Sequence, residues 1–371
     1  MDATQIIVLG FLGVVLAGTA LLMLPISTVN REVTPFIDAL FTSTSAACVT
    51  GLTVAETGTY WSVFGKCVIL LLIQIGGLGF MSIALLFSLV ARRRITPRER
   101  MVFAQSQNLS DLSGIVKFAK FIFYCTFSVE GVGALLLAVR FIPQYGVSDG
   151  IAKSIFHSVS AFCNAGFDII GHCDSLSGYA ADPYLSVLIS LLVIVGGLGF
   201  YVWRDLFLYF RKKQRLSPYS KLVLFATAGL LVSGTLLLFA FENENPAFDA
   251  FSRPKLFLTS FFQSAVTRTA GFYTIPLSEL SSTSKAVSMV LMFIGGASGS
   301  TAGGIKVGTF AVIMIAMAAT IRGKNSFVVF GRRISLNNVL RAMGILAVGI
   351  AIVSISTLLI CLAEPQLLFA D

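Results

Sequence analysis

Charge is scarce. Only 12% of the 371 residues are Asp, Glu, Lys or Arg, against about 25% in a soluble domain. Hydrophobic residues make up 56%, and the mean hydropathy is +0.87. An ordinary soluble fold is excluded, and a membrane protein is implied. Histidine is nearly absent (2), and the 6 cysteines are scattered through apolar segments. Neither shows ligand or paired spacing, so no zinc site or disulfide framework is expected. No nucleophile-and-base pair, His/Cys/Asp cluster or phosphate loop occurs, which disfavours an enzyme and a covalently bound cofactor. The net charge of +9 does not imply nucleic acid. The basic residues form short clusters at the ends of apolar runs, with no continuous stripe. Met1-Asp-Ala3 lacks the positive region of a cleaved signal, so the first apolar run is expected to remain as a span.

What is present is a threefold repeat. Phe41-Thr-Ser-Thr-Ser-Ala-Ala-Cys-Val-Thr-Gly51, Phe156-His-Ser-Val-Ser-Ala-Phe-Cys-Asn-Ala-Gly166 and Phe261-Phe-Gln-Ser-Ala-Val-Thr-Arg-Thr-Ala-Gly271 each place Gly ten positions after Phe. Each stretch is too short and too hydroxyl-rich to cross a bilayer, which takes about 20 apolar residues. Long apolar runs flank each one. Unit 1 reads as a span at 6–24, a half-span at 35–47 and a span at 61–90. Unit 2 reads as 118–141, 150–163 and 184–210. Unit 3 reads as 222–241, 255–266 and a span starting near 285 that is interrupted at 295–306. A last span follows at 339–362. The predicted fold class is therefore an all-α polytopic membrane protein of repeated span–pore-loop–span units, three complete plus the first span of a fourth. The unit boundaries are 1–100, 101–216, 217–334 and 335–371.

Connectors between units are basic (Arg92 to Arg100, Arg211 to Arg215, Arg322 to Arg333). Those flanking the half-spans carry Glu32, Asp38, Glu56, Asp149, Asp168, Asp174, Asp182, Glu242, Glu244 and Asp249. Lys and Arg stay cytoplasmic, so the N-terminus is expected inside, with the half-spans dipping from an acidic, cation-attracting outer face.

Non-helical backbone at membrane depth survives only where it lines water or is buried in protein. Three loops with the same Gly meet that condition if they converge. Their carbonyls would then replace a cation's water shell, with Gly51, Gly166 and Gly271 supplying positive φ and the helix C-termini favouring positive charge. The expected filter is Val49, Thr50, Gly51, Leu52, Asn164, Ala165, Gly166, Phe167, Thr269, Ala270, Gly271 and Phe272, with K⁺ at the backbone carbonyls. One Gly per loop implies few sites and weak K⁺/Na⁺ discrimination. The alternative for any single loop is a simple turn; three copies at one spacing favour the filter. The glycines of Gly76-Gly-Leu-Gly79 and Gly196-Gly-Leu-Gly199 are expected to let helices pack closely. The polar run Gly295, Gly296, Ala297, Ser298, Gly299, Ser300, Thr301, Ala302, Gly303, Gly304, Ile305, Lys306 has two open readings. One is a kinked helix. The other is a mobile barrier beneath the filter, with Lys306 as an electrostatic plug. Glu130 lies within an apolar span, either paired with an Arg or backbone amides or acting as an ion site. Arg268 is expected to brace the third loop from behind. His157 and His172 are expected not to be ligands, and Cys48 and Cys163 to be small buried groups.

The chain resembles the Trk/Ktr/HKT superfamily of potassium transporters. Thr44-Ser-Ala-Ala-Cys-Val-Thr-Gly-Leu52, Ile73-Gln-Ile-Gly-Gly-Leu-Gly-Phe80, Arg268-Thr-Ala-Gly-Phe272 and Gly295 to Lys306 carry the resemblance. It is more similar to the bacterial Ktr-type membrane subunit than to the Trk type. The resemblance implies four such units around one pore, K⁺ permeation at Gly51, a gating loop at 295–306, and location in the bacterial plasma membrane. It further implies a homodimer and a cytosolic nucleotide-binding regulatory ring, so that any nucleotide sits on a partner subunit. Na⁺ is a second candidate ion. The family's fourth loop would begin where this sequence ends, so the isolated chain is expected to be defective in transport, or to be completed by another chain. A secondary symporter with inverted repeats is disfavoured because the units run parallel.

Overall fold

The structure is a computed structural model that describes residues 3–90, 95–107, 114–171, 175–180, 182–249, 251–324 and 326–364. Arg92, His172 and Asp174 lie outside the described residues. Unit 1 comprises α1 (Ala3–Leu22), α2 (Phe36–Ala47), α3 (Val63–Leu78) and α4 (Phe80–Val90). After α5 (Pro97–Ser106) come α6 (Ile115–Tyr145), α7 (Val147–Phe162), α8 (Pro183–Gly197) and α9 (Phe200–Lys212). Unit 3 holds α10 (Pro218–Glu242), α11 (Arg253–Val266), α12 (Ser282–Phe293) and α13 (Val307–Ile321). A short antiparallel hairpin, β1 (Phe327–Val329) and β2 (Arg332–Ile334), precedes α14 (Leu336–Ala363).

Four helices (4–22, α6, α10 and α14) are long and apolar enough to cross a membrane. Their starts are written in the sequence. Ser217 accepts from the amide of Ser220 ahead of Pro218, and Ser335 caps α14 in the same way, both N-cap chemistry. No residue in the 18-residue apolar window of α14 is buried within the chain. Such a helix, apolar all round, is stable only against lipid or another chain.

The second spans of units 1 and 2, expected as single helices over 61–90 and 184–210, are instead broken. α3 meets α4 at 97°, and α8 meets α9 at 98°. The hinges are Gly79 (φ 76°) and Gly199 (φ 86°), a backbone region that L side chains avoid. All three second spans are therefore interrupted at their glycine motif. The third has a longer break, from 294 to 306, between α12 and α13. The basic connector after α4 also contains a helix that composition alone hid. α5 begins with a reciprocal capping box between Thr96 and Glu99, the arrangement that satisfies two free amides at once.

One stitch holds each half-span helix to its own first span. Ser43 Oγ donates to the carbonyl of Val15 at 2.7 Å, Ser158 Oγ to that of Glu130 at 2.6 Å, and Ser264 Oγ to that of Leu231 at 3.0 Å. A glycine stands three residues after each acceptor: Gly18, Gly133 and Gly234. A Cβ there would fall 2.4–2.5 Å from the serine oxygen, so only glycine permits the approach. The two helices of each pair thus hold a fixed depth relative to one another, and the loops that follow the half-spans inherit it.

Candidate functional site: a convergence of three loops

The half-span helices α2, α7 and α11 end at the three glycine loops. The first two finish alike. Val49 N donates to Ala46 O and Thr50 N to Ser45 O; Asn164 N donates to Ala161 O and Ala165 N to Ser160 O. This is a Schellman closure, which requires a left-handed residue after the cap. That residue is Val49 (φ 58°) in loop 1 and Asn164 (φ 58°) in loop 2; Thr269 (φ 62°) has the same conformation in loop 3. Each stands two positions before a glycine that is also at positive φ: Gly51 (86°), Gly166 (72°) and Gly271 (75°). A β-branched residue such as Val49 in this region stores about 1–3 kcal/mol of strain.

The three glycines meet. A Cβ built on Gly51 would lie 2.5 Å from Ala165 O and 3.2 Å from Gly166 Cα. One on Gly166 would lie 2.5 Å from Ala270 O and 2.6 Å from Gly271 Cα, and one on Gly271 would lie 3.1 Å from Gly166 Cα and 3.5 Å from Thr50 O. The carbonyls of Thr50, Ala165 and Ala270 thus each lie within 3.5 Å of the Cβ position of a glycine on another loop, and each loop follows the C-terminus of a half-span helix. Phe167, Ala165 and Ala270 are buried and Leu52 is exposed. Between loops 1 and 3 lies a cavity of about 360 Å³ lined by Cys48, Val49, Thr50, Thr269, Gly271, Phe272 and Gly303, among others. Cys48, expected to be buried, is exposed beside this cavity, whereas Cys163 is buried.

The polar run 295–306 lies against the same loops. Thr301 Oγ1 donates to the carbonyl of Phe162 (2.9 Å) and lies 3.1 Å from Asn164 Oδ1. Gly303 N donates to Thr269 Oγ1 at 2.9 Å. The run is anchored outward as well. Ala297 N donates to Gly197 O and Phe200 N to Gly299 O, while Gly295 N donates to Ile305 O and closes the run on itself. Lys306 Nζ donates to Ala302 O at 2.7 Å, turning its ammonium back on its own loop. Gly296, Ser298, Ser300 and Gly304 complete the segment, Ser300 Oγ closing on Ala297 O at 2.6 Å.

The double-glycine motifs pack directly on the half-span ends. A Cβ on Gly76 would be 2.2 Å from Ala47 O, and one on Gly196 would be 1.9 Å from Phe162 O. Arg268 turns away from the glycine, its guanidinium donating to the carbonyl of Thr227 on α10. Its own carbonyl accepts from Asn164 Nδ2 at 3.4 Å. His157 is buried among the rings of Phe141, Phe156 and Phe272, with Nδ1 on Lys153 O. Glu130 is buried, and among the described residues neither of its two expected partners bonds to its carboxyl. Gln74 Nε2 donates to its carboxyl at 3.0 and 3.2 Å, and Cys163 Sγ lies 3.7 Å from Oε1. Two of the expected outer-face acids have structural work. Asp182 caps α8 and pairs with Arg140 at 2.6 Å. Glu242 is buried and holds Ser281 and Asn245. Their charge is spent locally. Among the described residues no group of His, Cys, Asp and Glu is arranged to hold a metal ion, and the nearest oxygens from other loops to the three loop glycines are the peptide carbonyls of Thr50, Ala165 and Ala270.

The comparisons agree with this architecture. A family described as cation transport protein, TrkH, matches residues 1–369. The chain is 41% identical over 364 residues to the potassium/sodium uptake protein NtpJ of Enterococcus hirae, covering 98% of this chain and 80% of that protein. It is 38% identical over 362 residues to the Ktr system potassium uptake protein B of Bacillus subtilis, covering 97% and 80%. The crystal structure of the potassium transporter TrkH from Vibrio parahaemolyticus superposes with a TM-score of 0.68 at 22% identity, over 96% of this chain and 72% of that one; this shows a shared fold. The chain belongs to the TrkH family of cation transport proteins.

Proposed function

We propose that the chain is the membrane subunit of a K⁺ uptake system and that K⁺ passes the centre where the three loops meet, shedding water onto the carbonyls of Thr50, Ala165 and Ala270. It acts as a transporter and not as an enzyme. The observation that carries this reading is that Gly166 packs against both Gly51 and Gly271, with Thr50 O beside Gly271, each glycine at positive φ in the loop after a half-span helix. A cation there faces peptide oxygens and helix C-termini, the chemistry of carbonyl filters, while Arg268 donates to Thr227 O and Lys306 to Ala302 O. The segment 295–306, bonded to loops 2 and 3, acts as a gate below them. Na⁺ is the second candidate, because one relative is named for both ions. The N-terminus faces the cytoplasm of a bacterial cell, a homodimer forms within the bilayer, and a nucleotide-binding ring docks on the cytosolic side.

The test is K⁺ uptake by a transport-deficient bacterium expressing the protein at low external K⁺. Growth and K⁺ accumulation that Gly51→Ser abolishes or shifts toward Na⁺ support the reading. Unchanged ion preference in a properly inserted Gly51→Ser protein removes the filter.

A further inference from the structure

Glu130 breaks the internal repeat. Three first-span residues receive the half-span serine on their backbone carbonyl: Val15 in unit 1, Glu130 in unit 2 and Leu231 in unit 3. The stitch uses only the carbonyl, so the fold is served by an aliphatic side chain here, as units 1 and 3 show. A carboxyl is costly to bury in a membrane span, and this one is 5% exposed. Something other than the stitch accounts for it.

Its surroundings point to the second loop. Gln74, on α3 of the neighbouring unit, donates its amide to both carboxyl oxygens. Oε1 also faces Cys163 Sγ at 3.7 Å. Cys163 is the cap of α7 and immediately precedes Asn164-Ala165-Gly166. It is pinned from the other side by α3, where a Cβ on Gly77 would fall 2.7 Å from its sulfur. The equivalent positions in units 1 and 3, three residues before each glycine, are Cys48 and Arg268. Cys48 is exposed, and the Arg268 guanidinium donates to a backbone carbonyl, that of Thr227 on α10. Loop 2 is thus the one whose cap side chain is tied to a buried acid on another helix, among the described residues.

We propose that Glu130 is a positioning residue of the ion path. Held by Gln74, its carboxyl fixes Cys163, and through it the Asn164–Phe167 backbone, so that it sets how loop 2 discriminates among monovalent cations. This rests on the filter reading above.

The test measures the Rb⁺-to-Na⁺ flux ratio in liposomes containing the protein, a readout independent of how much protein inserts. Glu130→Leu installs the residue type that unit 3 carries at this position, and Cys163→Ala removes the thiol with little change of volume. Each is expected to lower the ratio by about three-fold or more, as a buried acceptor or its donor is lost. Glu130→Gln, which keeps an acceptor oxygen, recovers most of the ratio. The double variant Glu130→Leu/Cys163→Ala falls no further than either single one, because both cut the same link. Should Glu130→Leu not insert, the Cys163→Ala and Cys163→Ser pair decides alone, with Ser retaining the ratio. Unchanged ratios in Glu130→Leu and Cys163→Ala, alongside a shifted ratio in Gly51→Ser, overturn the inference and leave the filter standing. No shift in any of the three overturns both.

Discussion

Thr301 and Asn164 share one junction: the threonine hydroxyl sits 3.1 Å from Asn164 Oδ1 while donating to the Phe162 carbonyl at 2.9 Å. Asn164 is the left-handed residue that turns loop 2 into its glycine. The 295–306 segment proposed as a gate and loop 2 are therefore joined by a side chain at the left-handed residue of that loop. Thr301→Val keeps the shape and removes the donor. A buried hydrogen bond contributes about 1 kcal/mol, which moves a closed-to-open equilibrium about five-fold toward open. The expected outcome is a several-fold rise in K⁺ flux per inserted protein, measured in liposomes; unchanged or lower flux counts against a gate held by this contact.

Gly196 sits under the same junction. Alanine there would place a Cβ 1.9 Å from Phe162 O, a backbone atom with no room to yield. Gly196→Ala is expected to cost about 3 kcal/mol or more, at the upper end of core overpacking, and to reduce inserted protein sharply. Gly229 on α10 meets nothing within 4 Å of its added Cβ. Gly229→Ala is expected to be neutral, or stabilising by up to about 1 kcal/mol through helix propensity. Thermal unfolding in detergent separates the two.

Asp168 follows loop 2 directly, in the connector between α7 and α8. Burial pushes its carboxyl above the ordinary range; amides of Ile170 and Gly171 oppose this, and the charge of Glu56 adds to it. The group is anionic above its pKa, so on acidification it becomes neutral sooner than a solvated Asp, whose pKa is about 3.9. Uptake at low external K⁺ should therefore begin to fall at a pH above that value. Asp168→Asn should start lower at neutral pH and lose that step. A variant with the same pH profile as the parent would exclude Asp168 as a source of the cation-attracting charge.

The apolar spans, the half-spans and the three glycines were legible because each depends on a local, repeated signal: run length, a proline or serine start, and a fixed Phe-to-Gly spacing. Other features were hidden because they are relations between distant residues. The stitch from Ser43, Ser158 and Ser264 to carbonyls on the first spans uses ordinary residue types, and only their pairing with Gly18, Gly133 and Gly234 reveals it. The bends at Gly79 and Gly199 were masked because the apolar run continues through both. The partners of Glu130 were not foreseeable, since a neutral amide 56 positions away and a thiol leave no mark in charge pattern. Val49 shows the opposite limit: valine rarely adopts positive φ, so propensity argues against the conformation that the helix closure imposes.

The central claim is that peptide oxygens around Gly51, Gly166 and Gly271 select the ion. The most direct measurement is the K⁺-to-Na⁺ flux ratio of the protein in liposomes, before and after Gly51→Ser. The added side chain would meet Ala165 O at 2.5 Å and displace one carbonyl of the ring, so the ratio should fall by about ten-fold, equivalent to about 1.4 kcal/mol of lost discrimination. An inserted Gly51→Ser protein with an unaltered ratio would contradict the account.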